Sequence, residues 1–535
     1  MIPSEEEVRE QLARLLDSPE FATSRRICDF LRFVTERALT GEGKSIKQYT
    51  IGVEVYGRGP SFDPKSDPLV RIEAGRLRRA LDKYYGGDGR RDPILVQVPR
   101  GTYVPRFIRN PAQGDGTEPR PEAAEAASSE TLQPPVIVVL PMENLGEEKH
   151  AYLVNGIGEE LTAELSRCSG IRVVAFCSSA RSAVITENTR QRAASLGADY
   201  ALTGVLRKSG KRIRINIRLL DVGSGEQLWA ERFEEDLIPE RLFDIEDRIV
   251  CRALARVADA YGVISRAMRL RAEGRRVSDP SAYEAILRHL HFQLTLTPDA
   301  FRESLLALEH AVKVEPNSAV VWAMLSQCYL DAQVFGYEEI PEALETGIRL
   351  AGRAVSLDPN CQFAQHAKAY ASLIERNRAA MITAAERIIA TNPNAAFMAG
   401  CASFWLCLAG EYDRGIELLQ KSIELNPLFP SWMHAGPYFY NMHHGNFEAA
   451  LHHANEFGLP DFFWGPLIRA AVLGLVGRAE EARTAYERIL ELKPDFSEKV
   501  RDYVHFFVLD DRLADKMLEG LDKAVSGERV EQESG

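Results

Sequence analysis

The sequence predicts a multidomain α+β chain: a basic, mainly helical N-terminal head closed by a β-hairpin, a central α/β domain, and an all-α C-terminal solenoid. Three observations predict it. Pro359, Pro393, Pro427, Pro460 and Pro494 recur at intervals of 34, 34, 33 and 34 residues, each closing an apolar helical stretch. Residues 21–110 carry 18 Lys/Arg against 10 Asp/Glu, a balance of +8 in a chain whose net charge is −12, so the rest carries −20. Between them, residues 136–266 alternate strand and helix patterns.

The head, residues 1–109, opens with helical stretches at Glu5–Leu16, Ser24–Leu39 and Ile46–Val55. A fourth, Leu69–Tyr85, places Val70, Ala74, Leu77, Leu81 and Tyr84 on one apolar face at helical period. Its other side presents Arg71, Arg76, Arg78, Arg79 and Lys83. An alternating segment, ILVQVPRGTYVPRF, follows and bends at Gly101. Helices, then a basic helix, then a hairpin is the order of a winged helix-turn-helix. Arginines on such a helix neutralise phosphates and offer bidentate donors to guanine. The same run also reads as a solvated face ion-paired to Glu73 and Asp82.

The run VRIEAGRLRRAL (Val70–Leu81) resembles the recognition helix of the OmpR/PhoB-type winged helix through Val70, Ile72, Leu77, Arg78 and Leu81. PRGTYVPRF resembles that family's wing through Arg100, Gly101, Tyr103 and Phe107, with its second glycine missing. The resemblance implies double-stranded DNA as a partner, touched by Arg71, Arg76, Arg78, Arg79, Lys83, Arg100 and Tyr103. A DNA reader placed first and an effector region after it is similar to the CadC/ToxR and HilA-like arrangement.

Residues 110–134 are rich in Pro, Ala, Glu and Gly and read as a disordered linker. Residues 135–267 begin with a buried strand at Pro135–Leu145, a helix at Tyr152–Ser166 and a strand at Ile171–Phe176. A helix ending near LGADY follows, and then three antiparallel strands with turns at Ser209-Gly210 and Gly223–Gly225. Leu140-Pro141, Asn144-Leu145, Gly156-Ile157, Glu160-Leu161, Leu196-Gly197, Tyr200, Gly204 and Leu228-Trp229 resemble the TolB-like amino-terminal domain of bacterial multidomain regulators. The resemblance implies a fold rather than an activity. Such domains occur beside nucleotide-cyclase domains, and no cyclase catalytic region is visible in this sequence.

From residue 281 the pattern is helical. The 34-residue period resembles the tetratricopeptide repeat over residues 281–525, which implies stacked helix pairs that bind a protein or peptide partner. Gly410, Gly445 and Gly477 fall at inter-helix turns, Ala450 and Ala482 at tight helix contacts, and Gly415 where a small Ala is expected. Pro316 joins the series after 43 residues, a gap assigned to an inserted loop around Phe335-Gly336-Tyr337. Aromatics crowd residues 429–464, mostly as packing and in part as candidates to line a concave groove.

The remaining signals exclude more than they assign. No apolar run approaches the roughly 20 residues of a membrane helix, and the acidic, amphipathic start lacks a secretory pattern. The eight cysteines are scattered without a CxxC pair, consistent with free thiols in a cytoplasmic setting. No Walker A, HExxH or GxSxG motif is present, so neither an enzyme nor a cofactor is expected. His434, His443, His444, His452 and His453 cluster without a Cys or acidic partner at ligand spacing, and no metal is expected. Two functions fit: a cytoplasmic one-component transcriptional regulator, or a signalling adaptor, related to cyclase-associated regulators, that does not bind DNA. Operator, partner and oligomeric state are not encoded in any readable motif.

Overall fold

The computed structural model describes residues 4–18, 21, 25–40, 46–59, 69–86, 89, 92–98, 103–109, 132–145, 151–168, 170–176, 188–238, 241–272 and 279–526. The expected linker, residues 110–134, lies almost wholly outside them. The chain divides into two compact units, Met1–Glu125 and Ala126–Gly535.

In the first unit, helix Glu5–Asp17 starts at a capping box. The Ser4 hydroxyl accepts from the Glu7 amide, and the Glu7 carboxylate accepts from the Ser4 amide at 2.7 Å. Helices Arg25–Leu39, Gln48–Glu54 and Leu69–Gly86 follow. Strands β1 (Ile94–Gln97) and β2 (Arg106–Arg109) then pair antiparallel, with Ile94 opposite Arg109. The predicted apolar face of the last helix is buried at Val70, Ala74, Leu77, Leu81 and Tyr84, where it packs with Phe21, Phe30, Leu31 and Val34.

The second unit begins with a mixed sheet of β3 (Val136–Val139), β4 (Glu143–Asn144), β5 (Arg172–Val174), β6 (Tyr200–Ser209), β7 (Arg212–Asp221) and β8 (Gln227–Asp236). The order is β5-β3-β6-β7-β8, with β4 also paired to β6. Strands β3 and β5, and β3 and β6, run parallel, whereas β6, β7 and β8 form an antiparallel meander. The single strand expected over 135–145 is two short ones. Pro141, with no N–H to give the ladder, lies in the break between them. Alternation along β7 buries Ile213, Ile215, Ile217 and Leu219 in a core shared with helices Ala151–Ser166 and Leu242–Val257.

Seven helix pairs follow among the described residues, from Ala282–Thr295 with Pro298–Val314 to Phe496–Phe507 with Asp511–Ser526. The periodic prolines sit just past the second helix of each pair: Pro359 after Leu357, Pro393 after Thr391, Pro427 after Leu425 and Pro494 after Leu492. Gly410, Gly445 and Gly477 take positive φ of 79°, 78° and 75° at the turns within pairs, where a side chain is strained. At Gly415 a Cβ would stand 2.5 Å from the Cys407 sulfur, so glycine rather than alanine lets these two helices meet.

The inserted segment is a loop only in its second half, residues 337–342, before helix Ala343–Leu357. Helix Ala319–Asp331 continues through a π-helical turn, Ala332–Gly336, that buries Ala332 and Val334 and turns Phe335 inward. The Phe335 ring meets Phe462 at 4.9 Å and Phe507 at 5.9 Å, so the second pair touches the connection between the fifth and sixth pairs, and the seventh pair, across the interior. Arg376 adds a hydrogen bond to the His505 carbonyl at 2.9 Å. The C-terminal repeats thus pack against earlier ones across the interior of the array.

The α/β domain and the repeats are one unit because they share residues. Tyr283 and Leu287, on the first repeat helix, belong to the core beneath the sheet. Tyr261, beyond helix Leu242–Val257, packs instead in the repeat core and donates its hydroxyl to the Leu290 carbonyl.

Candidate functional site

The head's basic helix was the predicted site, and its side chains have diverse fates. Arg76 is exposed and pairs at 3.0 Å with Glu73, a carboxylate only 2% exposed. Arg78 is half-buried, and its Nε donates to the Val98 carbonyl at 2.7 Å. It therefore ties the helix to the hairpin, a job the expectation of base contact did not foresee. Tyr103 is likewise part of the fold, packed against the head core with its ring 6.2 Å from Phe30. Arg71, Arg79 and Lys83 lie on the helix, but their side chains, and Arg100 as a whole, are outside the described residues.

The second candidate is the interior of the repeat array. Asp331 ends an otherwise apolar helix, AVVWAMLSQCYLD, and is only 4% exposed. The Tyr370 hydroxyl donates to its carboxylate at 2.9 Å. Burial pushes the Asp331 carboxyl up to about 7, and Tyr370's hydrogen bond only partly opposes this. Beside it, the buried His289 donates from Nε2 to the Gln327 side-chain oxygen at 2.9 Å, leaving Nδ1 to accept from Ser304 at 3.1 Å. His366 Nδ1 accepts from the Trp405 indole at 2.8 Å. Burial lowers the two imidazoles to about 4 and about 3, so both are neutral at pH 7.

Around these polar groups runs a belt of aromatic rings. Trp405 lies 5.5 Å from Tyr370 and 5.2 Å from Phe404; Trp432 is 5.4 Å from Phe404; Trp464 is 5.3 Å from Phe507. Together they frame a cavity of about 90 Å³. Of the aromatics that crowd residues 429–464, Trp432, Phe439, Phe457, Phe462 and Trp464 line it, while Tyr438 and Phe463 are buried packing. Asp331, His366, Tyr370 and Trp405 were not foreseen, although a lone acid closing an apolar helix was a visible signal.

The clustered histidines divide in the same way. His434 and His453 stack, their Nδ1 atoms 3.2 Å apart, whereas His443 pairs with Asp510 at 3.0 Å. Among the described residues no three His, Cys, Asp or Glu side chains stand together as metal ligands. The seven described cysteines are free thiols. No described helix is long and apolar enough to cross a membrane.

A third feature is the seam between the α/β domain and the repeats. The partly buried Asp259 accepts from the Phe397 amide at 3.1 Å, from the Tyr261 amide at 3.4 Å and from the Asn426 side chain at 3.5 Å. Burial raises its carboxyl above the usual carboxylate range, and these hydrogen bonds only partly oppose that. A cavity of about 310 Å³ lies along this seam, lined by Cys168, Ser265, Gln362 and Asn394 among others.

No family model matches the chain. A Rhizobium meliloti (strain 1021) protein named "Putative adenylate cyclase 3" is 28% identical over 314 residues, covering 57% of this chain and 52% of that protein. The chain thus spans about half the length of this curated relative. Among solved structures, TolB from Acinetobacter baumannii is 17% identical over 22% of this chain and 27% of its own, with a TM-score of 0.17. MamA is also 17% identical, over 39% of this chain and 94% of its own, with a TM-score of 0.19.

Proposed function

We propose that this chain is a signalling scaffold, in which the repeat array engages a protein partner and the α/β domain is carried rigidly with it. The observation that carries this reading is the seam: Asp259 holds the Phe397 amide 138 residues away, and Tyr283 and Leu287 of the first repeat complete the sheet's core. A partner that bears on the repeats therefore bears on the α/β domain as well, because packed interiors transmit strain. The name of the Rhizobium relative, an adenylate cyclase, supports a place in signalling.

The transcriptional-regulator reading is kept by one observation, the +8 balance over residues 21–110 against −12 for the whole chain. On that reading Arg71, Arg76, Arg79, Lys83 and Arg100 meet the duplex, while Arg78 and Tyr103 hold the helix and hairpin together. A gel-shift series of the full chain on duplex DNA, from about 50 to 200 mM salt, separates the two. The scaffold leaves the duplex unshifted. Saturable binding that weakens linearly in log affinity against log salt would replace the scaffold with the regulator.

A further inference from the structure

The repeat interior holds the Asp331 carboxyl group among aromatic side chains, with no Lys or Arg among the residues that line the cavity. We propose that this cavity, framed by Asp331, Tyr370, Trp405, Trp432, Trp464 and Phe507, binds a compact organic cation of the quaternary-ammonium class, taken up as a free small molecule. The site goes beyond the scaffold reading, since it admits a soluble ligand rather than a protein.

The sign of the ligand follows from Asp331. In its ionised form Asp331 repels an anion, and an apolar occupant leaves that charge without a partner, which is why burial holds the proton on up to about pH 7. A cation removes that cost. Its neighbours do not oppose the charge: burial keeps His366 and His289 neutral, the one accepting from the Trp405 indole and the other bonded to Ser304 and Gln327. The aromatic rings favour a methylated ammonium over a hydrated metal ion, because ring faces attract a weakly hydrated cation and bury its methyl groups at once. Trp405 and Tyr370 stand 5.5 Å apart, tilted at 35°, and both line the same space.

Size and closure choose the free molecule over a peptide. About 90 Å³ holds a small headgroup and not a run of backbone. Phe335 against Phe462 at 4.9 Å and Arg376 against the His505 carbonyl at 2.9 Å span the groove along which an extended segment would have to thread. Phe507 comes from the seventh helix pair and Tyr370 from the third, yet they lie 6.4 Å apart. Filling the cavity would therefore brace distant repeats against one another.

The experiment uses the full chain, with tryptophan fluorescence and calorimetry as readouts and tetramethylammonium and choline as probes. A neutral tert-butyl analogue of choline controls for shape. The expected result is saturable binding of both cations, about tenfold or more tighter than the neutral analogue. Asp331→Asn, which keeps an acceptor for the Tyr370 hydroxyl, should weaken the cations by at least that factor and leave the analogue unchanged. Equal affinity for choline and its neutral analogue would overturn the proposal on the wild-type chain alone, even if the variant failed to fold. Absence of saturable binding, or binding of a trimethyllysine peptide with none of free choline, would overturn it as well.

Discussion

One substitution made at two places tests the packing of the terminal repeat. Helices Trp464–Leu475 and Asp511–Ser526 cross at a pair of glycines. A Cβ on Gly520 would stand 1.9 Å from the Ala471 carbonyl oxygen, and one on Gly474 would stand 2.0 Å from the Gly520 carbonyl oxygen. Both obstacles are backbone, so no side chain can swing away. Real Cβ atoms essentially never come within 3.0 Å of another heavy atom, and Gly520→Ala therefore forces the last helix to retreat by roughly 1 Å. The whole buried face of that helix moves with it: Leu513, Ala514, Met517, Leu518, Leu521 and Ala524. A gap of that size forfeits about a quarter to a half of the dispersion well at each contact. Overpacking costs about 1–3 kcal/mol, and a backbone-to-backbone clash belongs at the top of that range. Replacing a helical glycine returns about 1 kcal/mol, leaving a net loss of about 2 kcal/mol.

Gly352 supplies the control, since a Cβ there meets nothing within 4 Å and the residue lies exposed inside helix Ala343–Leu357. Gly352→Ala should stabilise by about 0.5–1 kcal/mol. Hydrogen exchange resolves the two effects locally. Amides of residues 511–526 should exchange about thirtyfold faster in Gly520→Ala, and those of 343–357 should slow in Gly352→Ala. If Gly520→Ala left 511–526 as protected as in the wild type, the close crossing of the two helices would be wrong.

Three further outcomes are expected. Phe507→Ala removes a ring that touches Phe335, Tyr370, Phe404 and Trp464; urea unfolding followed by tryptophan fluorescence should show a loss of about 3–5 kcal/mol. His289 and His366, lowered to about 4 and about 3 in the fold, leave protons that the unfolded chain takes up from pH 6.5 downward. Their stabilisation is therefore complete above pH 6.5 and is lost as the pH falls toward those values; His366→Gln should flatten the acid limb of a pH–stability profile. Asp331 acts in the opposite sense. Its carboxyl, raised to about 7, keeps a proton that the unfolded chain has released above about 4, so its stability is lost as the pH rises through 7. Asp331→Asn should accordingly gain stability relative to the wild type at pH 8 and not at pH 4, as read from thermal melts at the two pH values.

The proline metronome and the turn glycines were readable because they are local instructions. Proline after a helix and glycine at positive φ act on their own few residues, and Gly410, Gly445 and Gly477 took up the predicted turns. The alternation RIRINIRLLD was readable for the same reason, since a period of two buries Ile213, Ile215, Ile217 and Leu219 whatever lies beyond the strand. The head's basic helix was only half legible. Its apolar face was right, but charge alone did not distinguish Arg78, bonded to the hairpin, from a side chain reaching outward.

Sequence by itself determined the order of elements among the described residues: four helices and a hairpin, alternating strands and helices ending in a three-stranded meander, and a train of helix pairs at a 34-residue period. Tertiary structure alone decided that the train bends until Phe335 meets Phe462 and Phe507, that Asp259 reaches Phe397, and that Asp331 is enclosed by rings from other repeats. The physical reason is curvature. Each helix pair rotates slightly on the last, by an amount set at close contacts between pairs such as Gly474 against Gly520, and the rotations accumulate over the array. Periodicity records that the pairs exist, whereas the small rotations that bring distant pairs face to face arise only when all of them are packed.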